Sequence, residues 1–347
     1  MKNIKTFIFL SNATGGIATY QSNMINFLVK KNHSTLLIDK KFNQTEKYVK
    51  NKSKNHRLIL GDILWNFFEG IKILNEIKKR KNKENIFIIS NTVIFSIYFP
   101  IIKLFFKKPK ILLVYHSHLY NFNFVQIFFG LMSSIFSLMS YKILFVSKFT
   151  MKWWNTYFPL TKLAKQSVSY NYIHIPKNIK IKKPKEINVG FVGRLEKEKG
   201  IDTFINIAKN ITNSSINFYI FGEGSIKLDK KNLKKIKIFK WTKKDKIYKK
   251  INILFVTSEI ENCPLNVLEA KSYGIPTITI SNGGIKEIIQ HNKDGFVLDK
   301  NKSYNKIEDK FIKILNNYKF YSKNCLKNSK KFDIKNYEKF LDTLDCL

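Results

Sequence analysis

Arginine is nearly absent from this chain of 347 residues, although its formal net charge is +37. Of the 62 lysines and arginines, 59 are lysines, and the three arginines are Arg57, Arg80 and Arg194. Because asparagine and isoleucine are also abundant, this imbalance indicates a bias in genomic composition. Single lysines are therefore weak signals of function, whereas an arginine that persists against the bias is a stronger one.

Carboxylates are missing from one long span. Residues 85–185 contain 14 lysines and no Asp or Glu. A basic, aromatic-rich span of this kind fits an anionic membrane surface or nucleic acid. No nucleic-acid-binding motif accompanies it, so we expect no nucleic-acid partner. Compositional drift and solubility account for part of the charge, and the remainder favours peripheral binding to an anionic membrane surface.

Cysteines and long apolar runs are also scarce. The three cysteines show no paired or metal-ligand spacing, which fits a reducing compartment. They are Cys263, Cys325 and Cys346. The apolar runs 93–106 and 124–139 fall short of the ~18 clean apolar residues of a membrane-spanning helix, and either could instead lie on a membrane. Because the apolar run 7–10 is too short for a signal peptide, we expect a cytoplasmic protein held peripherally at the inner face of the cell membrane.

Predicted strands alternate with predicted helices along the whole chain, which favours an α/β fold. The segment 176–186 is charged, contains two prolines and is typical of a linker. We therefore expect two Rossmann-like α/β domains, residues 1–178 and 179–347. The predicted strands are 4–10, 35–39, 85–90, 110–115, 142–147, 188–192, 217–221, 236–241 and 251–256. The predicted helices are 18–31, 64–79, 201–210, 307–317 and 336–344.

The stretch that follows the predicted strand 251–256 is the most informative. Asn262 is expected to cap a helix and Pro264 to occupy its first turn, where a missing N–H does no harm. The helix is expected to run to about Tyr273 and to end at Gly274. Since parallel strands bind ligands at their carboxyl ends, and a helix N-terminus attracts anions, this junction predicts a binding site for a phosphate-containing ligand.

Two carboxylates lie eight positions apart at this junction, Glu261 in the loop and Glu269 in the helix. Taken alone, this spacing is common by chance, and most glutamates on helices are solvated. Beside an anion-binding helix end, however, the two side chains suit the hydroxyls of a phosphate-linked sugar.

The run ENCPLNVLEAKSYGIPTI, residues 261–278, resembles the E-x7-E region of glycosyltransferase family 4, whose members are retaining enzymes with the GT-B fold. The resemblance implies that Glu261 approaches the donor sugar and that Glu269 holds the nucleotide ribose. Thr257 departs from the family, which usually has proline there. The residues between the two glutamates are implied to line the donor site. They include Asn262, Cys263, Pro264 and Leu265.

Other loops carry the same resemblance. The segment GRLEKEKG, residues 193–200, is similar to the family's Gly-Arg-x4-Lys-Gly loop, which implies that Arg194 and Lys199 hold the donor diphosphate. From the residues alone, a Gly-Gly pair after a first strand is either a phosphate cradle or a tight turn. Lys240 stands where the family usually has glycine, so the base of the donor remains open between UDP- and GDP-sugars. Further donor-site positions implied by the resemblance are Gly15, Gly16, Gly193, Gly222 and Trp241.

Two histidines, His116 and His118, directly follow the predicted strand 110–115. Most histidines are structural or on the surface, and a pair at this spacing could also bind a metal, but no third ligand is apparent. If this half of the chain supplies a proton acceptor near pH 7, histidine is the obvious candidate. The His-Ser-His form resembles bacterial surface-polysaccharide glycosyltransferases. It implies an acceptor-side role, for which His116 is preferred because it is nearest the strand end.

These expectations define a function. The resemblance implies retaining transfer of a sugar from a nucleoside diphosphate sugar to a glycan or lipid-linked acceptor, in bacterial cell-surface polysaccharide biosynthesis. Arg194 and Lys199 would neutralise charge on the leaving diphosphate. No Asp-x-Asp motif occurs, so we expect neither a metal nor a cofactor. In GT-B folds the last helix crosses back to the first domain. The alternatives are a nucleotide-sugar epimerase of the same fold and a basic nucleic-acid-binding protein.

Overall fold

The chain folds as two compact units, Met1–Tyr170 and Asn171–Leu347. The structure, a computed structural model, describes residues 6–10, 16–30, 34–38, 85–90, 98–107, 109–119, 123–229, 233, 235–299, 301 and 303–336. Gly15, the predicted helix 64–79 and all but the first residue of the predicted C-terminal helix 336–344 lie outside these ranges. Each unit contains a parallel sheet flanked by helices, as the alternating pattern predicts.

The first unit is built on a six-stranded parallel sheet with the strand order β2-β1-β3-β4-β5-β6. Its strands β3, β4 and β5 are rich in buried apolar residues, as a sheet covered by helices on both sides requires. The strands are β1 Thr6–Leu10, β2 Ser34–Ile38, β3 Asn85–Ser90, β4 Lys110–Tyr115, β5 Lys142–Phe145 and β6 Gln166–Val168. The described helices are α1 Gly16–Lys30, α2 Tyr98–Phe105, α3 Phe124–Leu138 and α4 Lys148–Tyr157, followed by a 3-10 turn, Pro159–Leu163.

The second unit repeats this arrangement with the strand order β12-β11-β10-β7-β8-β9. The chain starts at β7 in the middle, builds outward on one side, and returns to place β10 on the other side. Parallel sheets bind ligands at such a switch point, beyond the carboxyl ends of the strands. The strands are β7 Ile187–Val192, β8 Ile216–Phe221, β9 Ile236–Phe239, β10 Ile253–Val256, β11 Thr277–Thr279 and β12 Gly295–Val297. The described helices are α5 Ile201–Asn210, α6 Lys244–Tyr248, α7 Leu265–Ser272, α8 Ile285–Ile288, α9 Tyr304–Asn316 and α10 Tyr318–Ser329.

Helix α3 is unusual because its fully buried residues are all small. These are Gly130, Ser133, Ser134 and Ser137. Ser133 Oγ hydrogen-bonds to the Tyr115 hydroxyl at 2.7 Å. A Cβ at Gly130 would lie 2.4 Å from a ring carbon of Phe158, so only glycine lets this ring pack against the helix. The helix is thereby held closely against β4 and against the segment that precedes the 3-10 turn.

Several predicted elements are confirmed residue for residue, namely β3, β4 and α5. Strand β5 ends at Phe145, two residues earlier than predicted, because Ser147 caps α4 and its Oγ accepts the Thr150 N–H at 3.1 Å. Strand β10 begins at Ile253, two residues later than predicted. Before it, Asn252 uses its amide to accept the Asn188 N–H at 2.9 Å, which ties the strand start to β7.

Candidate functional site

The loops that follow the strands of the second sheet meet at one edge, because the strands are parallel. A Cβ at Gly222, just after β8, would lie 1.8 Å from the carbonyl oxygen of Gly193, just after β7. Gly200, with φ of 69°, lies against the Thr257 carbonyl, and a Cβ there would be 2.0 Å from that oxygen. Thr257 Oγ1 in turn donates to the Gly200 carbonyl at 2.8 Å. The loop 193–200 therefore contacts both the loop after β8 and the loop after β10.

Glu261 is buried in the loop between β10 and α7. Its Oε1 accepts hydrogen bonds from Lys199 Nζ at 2.7 Å and from Ser258 Oγ at 2.9 Å. Its backbone N–H donates to the Asn282 carbonyl at 3.0 Å, so the main chain is held as well. The Glu261 side chain is 11% exposed and that of Lys199 is 29% exposed. The carboxylate is thus fixed in place while the ammonium group of Lys199 faces more open space.

Glu269, on α7, forms a second pair of this kind. Its Oε1 lies 2.5 Å from Lys244 Nζ, and its Oε2 accepts the Tyr248 hydroxyl at 2.9 Å. Burial and the neighbouring Glu269 hold the pKa of Tyr248 well above its usual value, so this hydroxyl stays a donor. The sequence analysis missed Lys244 and Tyr248. The available signal was their i,i+4 spacing, which places both on one face of α6.

Arg194 lies directly after β7 and pairs with Glu198, four residues on, at 2.9 Å. Both side chains are about half exposed. An exposed ion pair of this kind contributes little to stability, so the guanidinium can turn to another anion at small cost. A planar guanidinium holds two oxygens of one anionic group at once, which a lysine cannot do.

Helix α7 begins at Leu265, with Pro264 as its N-cap and no side chain capping it. The predicted cap at Asn262 is therefore wrong, and the helix starts two residues later than that cap would place it. The reason lies at Cys263, whose carbonyl accepts Asn171 Nδ2 at 2.6 Å instead of a helical N–H. The predicted end is confirmed, since Gly274 follows the helix with φ of 73°.

Cys263 sits between the two glutamates, but its thiol is not a nucleophile. The Asn171 N–H donates to Cys263 Sγ at 3.3 Å, and the whole side chain is buried. Burial raises the pKa of this thiol to about 12, so it stays protonated at neutral pH. Cys263 instead holds the loop between β10 and α7 against Asn171, the first residue of the second unit.

A fully buried ion pair between Lys271, on α7, and Asp294 holds this helix in place. Lys271 Nζ lies 2.5 Å from Asp294 Oδ2, and both side chains are 0% exposed. Asn328 Nδ2 donates to the same oxygen at 2.7 Å, and the Gln290 N–H donates to Asp294 Oδ1 at 2.9 Å. Because Lys271 is two positions after Glu269, the pair holds the helix that carries this carboxylate.

The remaining predicted donor-site residues lie at ends of elements. Gly16 is the first residue of α1, in the first unit. Trp241 follows β9 by two positions and is exposed. Leu265 is the first residue of α7 and is buried. In the part of the chain that the structure describes, no three His, Cys, Asp or Glu side chains gather as metal ligands would.

Both predicted histidines are buried in the first unit. His116 follows β4, and its Nε2 has no hydrogen-bond partner among the residues that the structure describes. Its ring meets Tyr20 edge-on, with 4.8 Å between ring centroids. Burial lowers its pKa to about 3, so the imidazole is neutral at pH 7 and does not titrate near neutrality as the sequence analysis assumed. The ring of His118 contacts the rings of Phe149 and Trp153, and the distance between ring centroids is 5.7 Å in both pairs.

Acid is expected to destabilise the folded chain through His116. The unfolded imidazole has a pKa of about 6.5, whereas burial lowers the folded value to about 3. The stabilisation is therefore complete above pH ~6.5 and declines as the pH falls, by about 2 kcal/mol at pH 5. Urea unfolding of the parent and of His116→Gln, at about pH 7 and pH 5, should show a smaller acid loss in the variant. Equal losses in the two proteins would contradict the buried neutral imidazole.

Residues 175–332 match the family described as Glycosyl transferases group 1. A Staphylococcus aureus poly(ribitol-phosphate) alpha-N-acetylglucosaminyltransferase is 28% identical over 140 residues, which cover 37% of this chain and 28% of that protein. An uncharacterized glycosyltransferase of Haemophilus influenzae is 22% identical over 316 residues, covering 87% of each chain.

The fold is shared with solved structures of GT-B glycosyltransferases. Anabaena Alr3699/HepE, solved in complex with UDP, superposes with a TM-score of 0.73 and covers 99% of this chain and 100% of its own. Because the identity is 13%, this likeness establishes the fold alone. The expected GT-B fold is confirmed. The shared fold and the family match over residues 175–332 together support the interpretation of the chain as a GT-B glycosyltransferase.

Proposed function

We propose that this chain transfers a sugar from a nucleoside diphosphate sugar to a glycan or lipid-linked acceptor, with retention of the anomeric configuration. One observation carries the proposal: two buried glutamates, Glu261 and Glu269, each pair with a more exposed lysine around the start of α7. Cationic groups at the opening suit a diphosphate, and fixed carboxylates behind them suit sugar and ribose hydroxyls. The UDP bound by Alr3699/HepE supports the choice of donor class.

In this mechanism the second unit handles the donor. Arg194, Lys199 and the uncapped start of α7 stabilise the negative charge that develops on the leaving diphosphate. Glu261 orients the transferred sugar, and Glu269 accepts hydrogen bonds from the ribose. Because basic side chains supply the positive charge, we propose that the reaction needs no metal. Addition of EDTA should therefore leave the rate unchanged.

On the acceptor side, we propose a role for His116 as a hydrogen-bond partner rather than as a titrating base. Its buried Nε2 lacks a partner within the described part of the chain, and a neutral imidazole can either donate to or accept from an acceptor hydroxyl. A buried polar atom without a partner is unfavourable, so a bound hydroxyl would relieve that penalty. His118, packed between two aromatic rings, is the less suitable of the two.

The test has two stages. Thermal denaturation with UDP-, GDP- and ADP-sugars identifies the donor, because ligand binding raises the melting temperature. The selected donor is then incubated with candidate acceptors, and release of the nucleoside diphosphate is followed with and without acceptor. Acceptor-dependent release, with an anomeric configuration in the product equal to that of the donor by NMR, is the expected result. Conversion of the donor to an epimeric nucleotide-sugar, with no net release of nucleoside diphosphate, would favour an epimerase, and an inverted product would contradict retention.

Replacing Glu269 by glutamine is expected to weaken nucleotide binding by about tenfold or more, because a hydrogen bond to a charged group contributes roughly 1.5–3 kcal/mol. The turnover number of the saturated enzyme should change less. Calorimetric titration with the nucleoside diphosphate measures the effect. Glu308→Gln on α9, the same substitution away from the site, is the control. Equal affinities of Glu269→Gln and the parent would exclude the ribose role.

We also propose that the chain binds peripherally to an anionic membrane surface, on the cytoplasmic side. The first unit carries nine lysines and no Asp or Glu between residues 85 and 170. Lysines near such a surface are attracted by its negative potential. In the part of the chain that the structure describes, no helix combines the length and apolar character needed to cross a membrane.

A further inference from the structure

The geometry points to α3 as the element that enters the membrane: we propose that its outward face inserts into the interfacial layer of an anionic lipid bilayer. This inference rests on the membrane binding proposed above and adds a specific inserting surface to it. The surface, called here the outer stripe, consists of large apolar side chains that are exposed. They are Phe124, Val125, Phe128, Leu131, Ile135 and Leu138.

The outer stripe reverses the usual pattern of a surface helix. Apart from the adjacent pair Phe124 and Val125, its residues follow one another at three or four positions, so they form one continuous face. Phe124 is 83% exposed and Phe128 is 50% exposed, whereas the fully buried residues of the helix are a glycine and three serines, and Phe136 is partly buried against Phe99. A helix of a soluble protein normally turns its large apolar side chains inward, and a contiguous apolar patch on the surface marks an interaction site.

The patch continues beyond the helix. Phe158 packs against α3 at Gly130, and its carbonyl accepts Ser134 Oγ at 3.5 Å. The 3-10 turn follows at once and presents Leu160 and Leu163, of which Leu163 is 75% exposed. The turn therefore adds two exposed leucines next to the helix.

The charges around this surface select lipid as its occupant. Helix α3 contains no charged residue, and the adjoining segment carries exposed lysines at 162 and 165 with no carboxylate between residues 85 and 170. An apolar face bordered by cations fits acyl chains below anionic headgroups. A second copy of this chain would bring two lysine-rich surfaces together, which repel each other.

The length of α3 decides how it would lie. Its 15 residues span about 22 Å, less than the ~30 Å hydrocarbon core of a bilayer. The helix would therefore lie in the plane of the interface, with the outer stripe facing the acyl chains and the small residues facing the protein.

Flotation of the full-length protein with vesicles tests this inference. The vesicles contain phosphatidylcholine alone or phosphatidylcholine mixed with phosphatidylglycerol. The parent should float with the anionic vesicles, and the variant Phe124→Ser/Phe128→Ser/Leu131→Ser should bind them at least about tenfold more weakly. Phe320→Ser, at an exposed phenylalanine on α10, is the matched control and should bind like the parent.

A second measurement does not depend on removing the stripe. Phe128→Trp should gain fluorescence quenching by brominated acyl chains relative to the parent, and Phe320→Trp should not. Undiminished binding of the triple variant, with no added quenching of Phe128→Trp, would overturn α3 insertion while leaving charge-driven membrane binding in place. Absence of binding to either vesicle would overturn both. If the parent were a dimer in lipid-free solution and the triple variant a monomer, the outer stripe would instead be an interface with a second copy of the chain.

Discussion

Replacing Glu261 by glutamine is expected to lower the rate of sugar transfer by about 10²–10³-fold, with the chain still folded. Glutamine keeps the size of the side chain but removes the charge that holds Lys199 Nζ at 2.7 Å. It also places an N–H₂ group where the site needs an acceptor. Steady-state kinetics with saturating donor and acceptor measure the loss.

The matched control for this substitution lies two positions earlier. Glu259 is exposed in the same loop, so Glu259→Gln introduces the same chemical change outside the proposed donor contacts. We expect its turnover number to equal that of the parent. If Glu261→Gln turned over at the parental rate, Glu261 would not touch the donor sugar. If both variants were equally slow, the effect would belong to the loop and not to the carboxylate.

The second large effect concerns stability. Lys271→Met is expected to lower the free energy of unfolding by about 3–5 kcal/mol, because it leaves a buried carboxylate without its cation. Asp294 is 0% exposed, so water cannot replace the ammonium group. The Asn328 amide and the Gln290 N–H remain as hydrogen-bond donors, but neither supplies a positive charge. Urea unfolding monitored by circular dichroism measures the difference.

Two further variants show whether the charge is responsible. Lys286→Met on α8 removes an exposed lysine and should change the free energy of unfolding by less than about 0.5 kcal/mol. Lys271→Met/Asp294→Leu removes both charges and should be more stable than Lys271→Met alone, since no unpaired ion is left buried. A double variant less stable than Lys271→Met would indicate that packing, rather than the ion pair, stabilises this region.

Local sequence patterns predicted most of the fold because residues near the ends of many elements mark where those elements begin or stop. Strand β4 ends where its apolar run ends, and α7 ends at Gly274 because a left-handed residue is needed there. The meeting of the loops after β7, β8 and β10 was predictable for the same reason, because these loops directly follow parallel strands. The start of α7 was not foreseen, since it depends on a contact between Cys263 and Asn171, 92 positions apart.

Properties that depend on the three-dimensional surroundings of a residue could not be predicted from the sequence either. The low pKa of His116 comes from burial beside Tyr20, which no spacing in the sequence reveals. Lys244 and Tyr248 share one face of α6, but their spacing alone does not show that this face lies beside Glu269. The outward orientation of the large side chains of α3 follows from the packing of Gly130 against Phe158, again a distant contact.

The contact between Gly200 and Thr257 has a mechanical consequence. The two backbones touch so closely that no methyl group fits between them, and the Thr257 hydroxyl donates a hydrogen bond to the Gly200 carbonyl. Close-packed segments of this kind move as one body. The loop with Arg194 and Lys199 and the loop with Glu261 should therefore shift together, so an anion that orders the first loop also orders the second. In our proposal, the nucleotide end of the donor then prepares the sugar end of the site before the sugar arrives, which lowers the entropy still to be lost in the reaction.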